Sequence, residues 1–378
     1  MTATLDRAPT ATAPRILSVG TAVPPEHYSQ EELLDLFGIT DRKVRSVFLL
    51  GSIQQRSLVL PPAAPDGTRL RESQGDLLDK HKAWAVSMGS EALALCLKRI
   101  GAALSEVAYL CCVTSTGFLT PGLSALLIRK LGMDWHTARA DIVGMGCNAG
   151  LNALAVVGNW AAANPGRLAV MVCSEACSAA YTMDSTMRTA VVNSLFGDGA
   201  AAVAVMADPG PRDRERPEEE QEEERGAGDR LAGPRILRTA SVTIVDAIDA
   251  MRYDWDRDQG RFSFFLDPQI PYLVGAHVEG VVDRLLEGTS LRRDDVAHWL
   301  VHSGGKKVID AVAVNLGLTR HDLRHTITVL RDFGNVSSGS FLFSYDRLLK
   351  EGVVRAGDYG VLMTMGPGST IESALIQW

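Results

Sequence analysis

The chain has 378 residues, 46% of them hydrophobic and 22% charged, and its 38 Lys+Arg against 45 Asp+Glu give a net charge of -7. That balance argues against a nucleic-acid partner held by bulk charge, while the length and apolar fraction supply a large core in two domains or one doubled domain. No apolar run reaches the roughly 18 to 20 residues that cross a bilayer, and the opening MTATLDRAPTATAPR lacks the apolar centre of a secretory signal, so the expected location is the cytoplasm with no membrane contact.

Residues 1–14, rich in Ala, Thr and Pro, read as a flexible tail, and ordered pattern begins with the apolar run 16–20. Residues 107–113 and 140–145 read as short buried strands; a Gly-rich turn follows the second and leads into an Ala/Leu-rich helix over 148–163. Further strands are expected at 168–173 and 200–206, the latter entered through Phe196-Gly197-Asp198-Gly199. Residues 209–235 carry runs of glutamate and almost no apolar side chain, the composition of a solvated, disordered acidic insertion, or alternatively of a dock for a basic partner. Beyond it come a strand at 298–301, a turn at Gly304-Gly305, helices over 306–316 and 338–350, and a strand at 359–365 that turns at Gly366-Pro367-Gly368. The plan of the first half recurs in the second, so the pattern predicts duplicated α/β units, with one half over 15–208 and the other over 236–378.

Six cysteines (Cys96, Cys111, Cys112, Cys147, Cys173, Cys177) include no CxxC pair, which argues against zinc ribbons and disulfides. Cys147, in Gly144-Met145-Gly146-Cys147-Asn148-Ala149-Gly150, stands where a strand becomes a helix. There the helix macrodipole favours thiolate over thiol and predicts a depressed pKa; the bland alternative is an inert core thiol. The glycines read GxGxxxG, which is neither the dinucleotide fingerprint nor the GxSxG elbow. Among eight histidines, His302 ends the apolar strand Trp299-Leu300-Val301 at the carboxyl edge where α/β sheets bind ligands. His321 and His325 form an HxxxH pair without the acid of a metalloprotease helix, and no metal site is expected. Asn335, in Asp332-Phe333-Gly334-Asn335-Val336-Ser337-Ser338, is either a helix cap or an amide donor of the kind that stabilises an oxyanion.

Together GMGCNAG, WLVHSGGKKVID and RDFGNVSSGSFLF resemble the Cys-His-Asn triad segments of the chalcone synthase-like family, the type III polyketide synthases. Cys112-Val113-Thr114-Ser115-Thr116, Cys173-Ser174-Glu175, Leu195-Phe196-Gly197-Asp198-Gly199 and Gly366-Pro367-Gly368-Ser369-Thr370 reinforce the resemblance in family order across residues 15–378. It implies a thiolase-like fold, two duplicated α/β halves in a layered αβαβα arrangement. It also implies an acyltransferase in which Cys147 takes an acyl group from coenzyme A while His302 and Asn335 hold the thioester carbonyl and the enolate of decarboxylating malonyl-CoA. Phe196 and Phe264 match aromatic gatekeepers, Phe264 with Phe262 and Phe265 as close neighbours; Thr114 matches a cavity threonine, and Gly366-Pro367-Gly368 a loop that shapes the cyclisation pocket. Met365 departs from the aromatic residue usual before that loop, and Leu119 and Thr120 stand near the place of a methionine that crosses the family's dimer interface. Of the basic residues that hold coenzyme A phosphates, Lys43 aligns and Arg45 lies close, whereas Ser46 and Leu50 fill the other places.

Within the family, CCVTSTGFLTPGLSAL, DAMRYDWDRDQ and FSFFLDPQIPY are most similar to the branch that makes 3,5-dihydroxyphenylacetyl-CoA for dihydroxyphenylglycine in glycopeptide antibiotic pathways. That resemblance implies condensation of four malonyl-CoA units, one as starter, without metal or redox cofactor, by a homodimer working beside enoyl-CoA hydratase-like helper proteins. The alternatives are another type III product such as a pyrone or tetrahydroxynaphthalene, a condensing enzyme of the initiating β-ketoacyl carrier-protein kind, and a non-catalytic thiolase-fold scaffold.

Overall fold

The computed structural model describes residues 13–65, 69, 72–182, 186–209 and 233–378. The expected tail up to residue 12 and the acidic insertion from 210 to 232 lie outside the described residues. In the first half β1 (Pro14–Ala22), β2 (His27–Ser29), α1 (Gln30–Leu36), α2 (Arg42–Leu49) and β3 (Gln55–Ser57) precede the long α3 (Gln74–Arg99). Then come β4 (Val107–Val113), α4 (Leu123–Leu131), β5 (Ala138–Ile142), α5 (Ala149–Ala163), β6 (Leu168–Glu175), α6 (Met187–Leu195) and β7 (Gly199–Ala207). The second half runs through β8 (Arg235–Thr243), a hairpin of β9 (Met251–Asp256) and β10 (Arg261–Leu266), α7 (Ile270–Leu286) and β11 (Val296–Val301). It ends with α8 (Lys306–Leu316), α9 (Arg324–Phe333), α10 (Ser340–Glu351), β12 (Tyr359–Gly366) and β13 (Thr370–Gln377).

Strands align in the order β11-β12-β13-β8-β1-β7-β6-β4-β5. Outward from the centre each half repeats one plan. Its first strand pairs antiparallel with its last, the next pairs antiparallel again, and the pairs beyond are parallel. The halves touch at the pair Arg15↔Arg235.

Alternate residues of each strand face different cores, and this period of two makes the layers. Leu110 and Cys112 of β4 join Ala85, Met88 and Ala92 of α3. Cys111 and Val113, on the opposite face, pack with Leu154 of α5, Phe341 of α10, and Leu300 and Leu362 of the second sheet half. Val301 and Met363 face outward onto Val278 of α7 and Val312 of α8. The resulting sequence of layers is αβαβα, with α5 and α10 packed between the two halves of the sheet.

Two boundaries correct the sequence reading. The strand expected at 140–145 is Ala138–Ile142, and it is the partly exposed edge strand rather than a buried one. Apolar Val143 and Met145 do not extend it, because the chain leaves the sheet through Gly144 at φ 81°. The helix expected over 338–350 starts at Ser340, after a 3-10 turn over Ser337–Gly339.

Candidate active site

Cys147 lies in a 3-10 turn, Gly146–Asn148, that feeds α5. Gly146 adopts φ 57°, and a Cβ there would stand 2.4 Å from Pro367 Cδ, so glycine lets the thiol's turn lie directly against the Gly366-Pro367-Gly368 loop. One residue into α5, Gly150 meets the turn that carries Asn335 and Ser337.

The thiol faces a cavity of about 370 Å³ whose wall also includes Phe196, Met251, Tyr253, Phe264 and Pro367. Cys147 Sγ lies 3.5 Å from Ser337 Oγ. Ser337 holds this place in a left-handed conformation, φ 51°, with its amide donating to Asn335 Oδ1 at 2.8 Å. Asn335 is fixed in turn: its N–H donates to Leu195 O (2.9 Å), and its C=O accepts from Gly197 N–H (3.0 Å). Cys147, Ser337, Asn335 and the backbone flanking Phe196 are thus one hydrogen-bonded unit.

His302 immediately follows β11 and is buried, its N–H donating to Met363 O at 2.8 Å and its Nδ1 paired with the Ser340 hydroxyl. Ser303 Oγ donates to Gly334 O (3.2 Å), which pins the His302 turn beside that of Asn335. Among the described residues no hydrogen bond joins His302 to the thiol.

The expected depressed Cys147 pKa is not what this environment gives. Burial pushes the thiol up to about 12, Glu175 adds to the rise, and Ser337 and Asn335 oppose it by less. Burial holds His302 down at about 3, so the resting pair is neutral thiol and neutral imidazole, without the cation that would favour thiolate.

The other candidates divide. Phe196 and Phe264 both line the cavity and meet edge to face, with centroids 5.9 Å apart at 88°. Phe262 is exposed, and Phe265 lies under the Arg252 guanidinium at 4.4 Å, so Phe264 is the inward ring of the three. Pro367 and Gly368 are on the wall, while Gly366 backs the amides of Cys147 and Asn148. Thr114 sits behind the wall, its hydroxyl donating to Ser174 O (2.7 Å), and Ser115 and Thr116 take the lining positions. Met365 is a core residue packed with Ile371 and Met363. Lys43 and Arg45 lie on α2, outside the cavity wall, and Arg45 Nη1 already donates to Ile39 O (3.0 Å).

Sequence reasoning gave no role to Glu175, which ends the wholly buried β6. Its carboxylate accepts from Ser115 N–H (2.8 Å), the Ser338 hydroxyl (2.5 Å) and the Ser337 hydroxyl (3.4 Å). It has no ion-pair partner among the described residues, and burial raises its pKa. Arg56 was missed as well: it is fully buried, and its Nη1 donates to the carbonyls of Phe196 (2.6 Å) and Asn193 (2.7 Å), fixing the Phe196 backbone from behind. The signal for Glu175 was an acid closing a run of seven apolar or small residues, 168–174; Arg56 gave none.

Comparison with known proteins covers both halves of the chain. The family model for the N-terminal domain of chalcone and stilbene synthases matches residues 70–209, and that for the C-terminal domain matches 240–378. A 3,5-dihydroxyphenylacetyl-CoA synthase of Streptomyces toyocaensis is 70% identical over 98% of this chain and 91% of its own length. One from Amycolatopsis orientalis is 68% identical over 96% and 93%. Among solved structures, 1,3,6,8-tetrahydroxynaphthalene synthase of Streptomyces coelicolor A3(2), a bacterial type III polyketide synthase, superposes with a TM-score of 0.83 at 25% identity, covering 96% of this chain and 99% of that one. With both halves matched and the αβαβα layers in place, the chain belongs to the chalcone and stilbene synthase family.

Proposed function

We propose that the protein is a type III polyketide synthase that makes 3,5-dihydroxyphenylacetyl-CoA from malonyl-CoA. The observation that carries the reading is the placement of Cys147 on the wall of a mostly apolar cavity of about 370 Å³, a volume typical of pockets that enclose a small ligand. The 70% identity to a synthase of that name narrows the product.

Cys147 is the acyl acceptor. Its proton leaves to His302 as the thioester of the starter is attacked, and the developing oxyanion is met by the Asn335 amide and the imidazole. Malonyl-CoA then loses carbon dioxide; the same two donors stabilise its enolate, and the enolate carbon attacks the acyl group. Each such donor is worth on the order of 3 kcal/mol. The Ser340 hydroxyl holds Nδ1 and so leaves Nε2 to carry the working proton. Four malonyl units, one as starter, give an eight-carbon chain with loss of four carbon dioxide molecules. The terminal carbon attacks the carbonyl at the third carbon, water leaves, and the ring aromatises while the thioester to coenzyme A is retained. This chain's residues supply acid, base and oxyanion donors for every step.

We further propose a homodimer formed through β5. Among the described residues this strand pairs only with β4, and Val143, which directly follows it, is 68% exposed in the single chain. Sedimentation of the wild type and of Val143→Glu tests it: a dimer that the substitution dissociates is expected, and a wild-type monomer overturns it.

The test of function is incubation of the purified protein with malonyl-CoA alone, without carrier protein, followed by mass analysis. A coenzyme A thioester of dihydroxyphenylacetate is expected. Exclusive formation of lactones or naphthalenes refutes the product, and strict dependence on a carrier protein refutes the enzyme class.

A further inference from the structure

The β9–β10 hairpin supplies a wall of the cavity through residues that the family triad does not include. Tyr253 pairs across the ladder with Phe264, and both line the cavity with Met251 and Cys147. The Tyr253 ring packs on Phe264 at 5.0 Å and 57° and on Phe262 at 6.3 Å and 80°, which fixes its plane. The residue is 41% accessible; burial first, then the nearby Cys177, Glu175 and Cys147, raise the ionisation of its hydroxyl above that of an ordinary phenol. Part of that accessible surface lines the cavity.

The hydroxyl has no hydrogen-bond partner among the described residues. The other polar groups on the wall are engaged or covered. Thr116 Oγ1 accepts from Ala176 N–H (3.0 Å) and lies 3.1 Å from His81 Nδ1. The Arg252 guanidinium is held by Asp254 (2.9 Å) and Asp249 O (2.7 Å). The Ser115 hydroxyl is fully covered, and Ser337 is held between Cys147 and Glu175. An unengaged phenol on the wall of a mostly apolar cavity is a donor free to meet an oxygen of a bound ligand.

We propose that Tyr253 is a specificity-determining residue whose hydroxyl donates to a carbonyl or enol oxygen of the growing polyketone and thereby favours carbon-ring closure over lactone formation. The proposal rests on the polyketide synthase reading. A poly-β-ketone on a thioester has two competing closures. An enol oxygen within the chain can attack the thioester carbon and expel the thiol as a lactone forms. Alternatively, the terminal carbanion attacks an inner ketone and the thioester survives. A phenol bonded to the chain oxygen lowers that oxygen's nucleophilicity, and the same bond holds the chain bent with its far end returning toward the inner ketone.

Tyr253→Phe keeps the ring and its packing on Phe264 and removes the donor. Wild type and variant are compared with malonyl-CoA alone, and the ratio of aromatic thioester to lactone products is read by mass analysis. One neutral hydrogen bond corresponds to roughly a tenfold shift in that ratio toward lactones. An unchanged ratio overturns the inference. If the wild type forms no aromatic thioester, the function reading fails instead. Titration with 3,5-dihydroxyphenylacetate then still decides the role of Tyr253, because roughly tenfold weaker binding by Tyr253→Phe supports the donor and equal binding overturns it. A matching thermal melt verifies that the variant is folded.

Discussion

Gly150→Ala tests whether the close contact between α5 and the Asn335 turn is what holds the site together. A Cβ at Gly150 would stand 2.2 Å from Ser338 O and 2.7 Å from Phe341 Cε1. Ordinary contact begins near 3.4 Å, so the carbonyl must retreat by about 1 Å. It cannot do so alone, because the Ser338 hydroxyl is held by Glu175 and the preceding Ser337 amide by Asn335. Overpacking of this kind costs about 1 to 3 kcal/mol, a drop of a few degrees in Tm. The larger effect falls on turnover, since a displacement of about 1 Å between reacting groups lowers rate on the order of 100-fold. Gly280→Ala is the control: it lies exposed on α7 with nothing within 4 Å, and replacing a helical glycine there stabilises by roughly 0.5 to 1 kcal/mol. Thermal melts and malonyl-CoA consumption are measured on both. A Gly150→Ala protein that melts with wild type and turns over within twofold of it would refute the claim that this contact sets the geometry.

The remaining predictions concern protonation. Iodoacetamide labelling of Cys147 is expected to rise about tenfold per pH unit from pH 7 to 9 without a plateau, as a thiol pushed up to about 12 requires, and to be faster in Glu175→Gln, which removes a neighbouring negative charge; a plateau near neutrality contradicts the neutral resting pair. His81 and His302 are held by burial at about 4 and about 3, against 6.5 for the free group, so the unfolded chain binds their protons first. Stability should therefore fall as pH drops from 6.5 to about 4, by at most about 1.4 kcal/mol per pH unit for each histidine. Asp198, raised to about 6 by burial, works in the opposite sense over the same window. Melting at a series of pH values should show a shallower decline in His81→Gln than in wild type, and equal slopes would refute the assignment. Arg56→Ala should lower both Tm and turnover, because it removes a buried donor from the carbonyls of Phe196 and Asn193 and leaves the former to the Tyr181 hydroxyl; unchanged turnover in a folded variant would separate Arg56 from the positioning of Phe196.

Where burial and period dominate, sequence and structure coincide: β4 and α8 have the bounds that their apolar runs predict. The 26-residue α3 escaped notice although Ser73 and Asp76 form its capping box, because its inner face mixes Leu77, Met88, Leu93 and Leu97 with Ala85, Gly89, Ser90 and Ala92, whose small side chains leave a faint period. β9 alternates apolar and charged residues through Met251-Arg252-Tyr253-Asp254-Trp255-Asp256, a strand signal that could have been taken and with it Tyr253. The triad candidates were legible as strand-edge and turn residues. The link from Cys147 through Ser337 to Glu175 was not, since it needs a left-handed serine and a carboxylate 162 residues away in sequence. The reversed pKa direction of Cys147 likewise depends on burial, which a helix-end argument does not contain.

The central claim, that one cavity builds and closes an eight-carbon chain from malonyl units alone, is tested most directly by supplying uniformly ¹³C-labelled malonyl-CoA together with unlabelled acetyl-CoA. The account predicts a dihydroxyphenylacetyl thioester in which all eight acyl carbons carry the label. A product with two unlabelled carbons would show an acetyl starter and contradict the proposed stoichiometry, and a labelled lactone without any aromatic thioester would contradict the proposed ring closure.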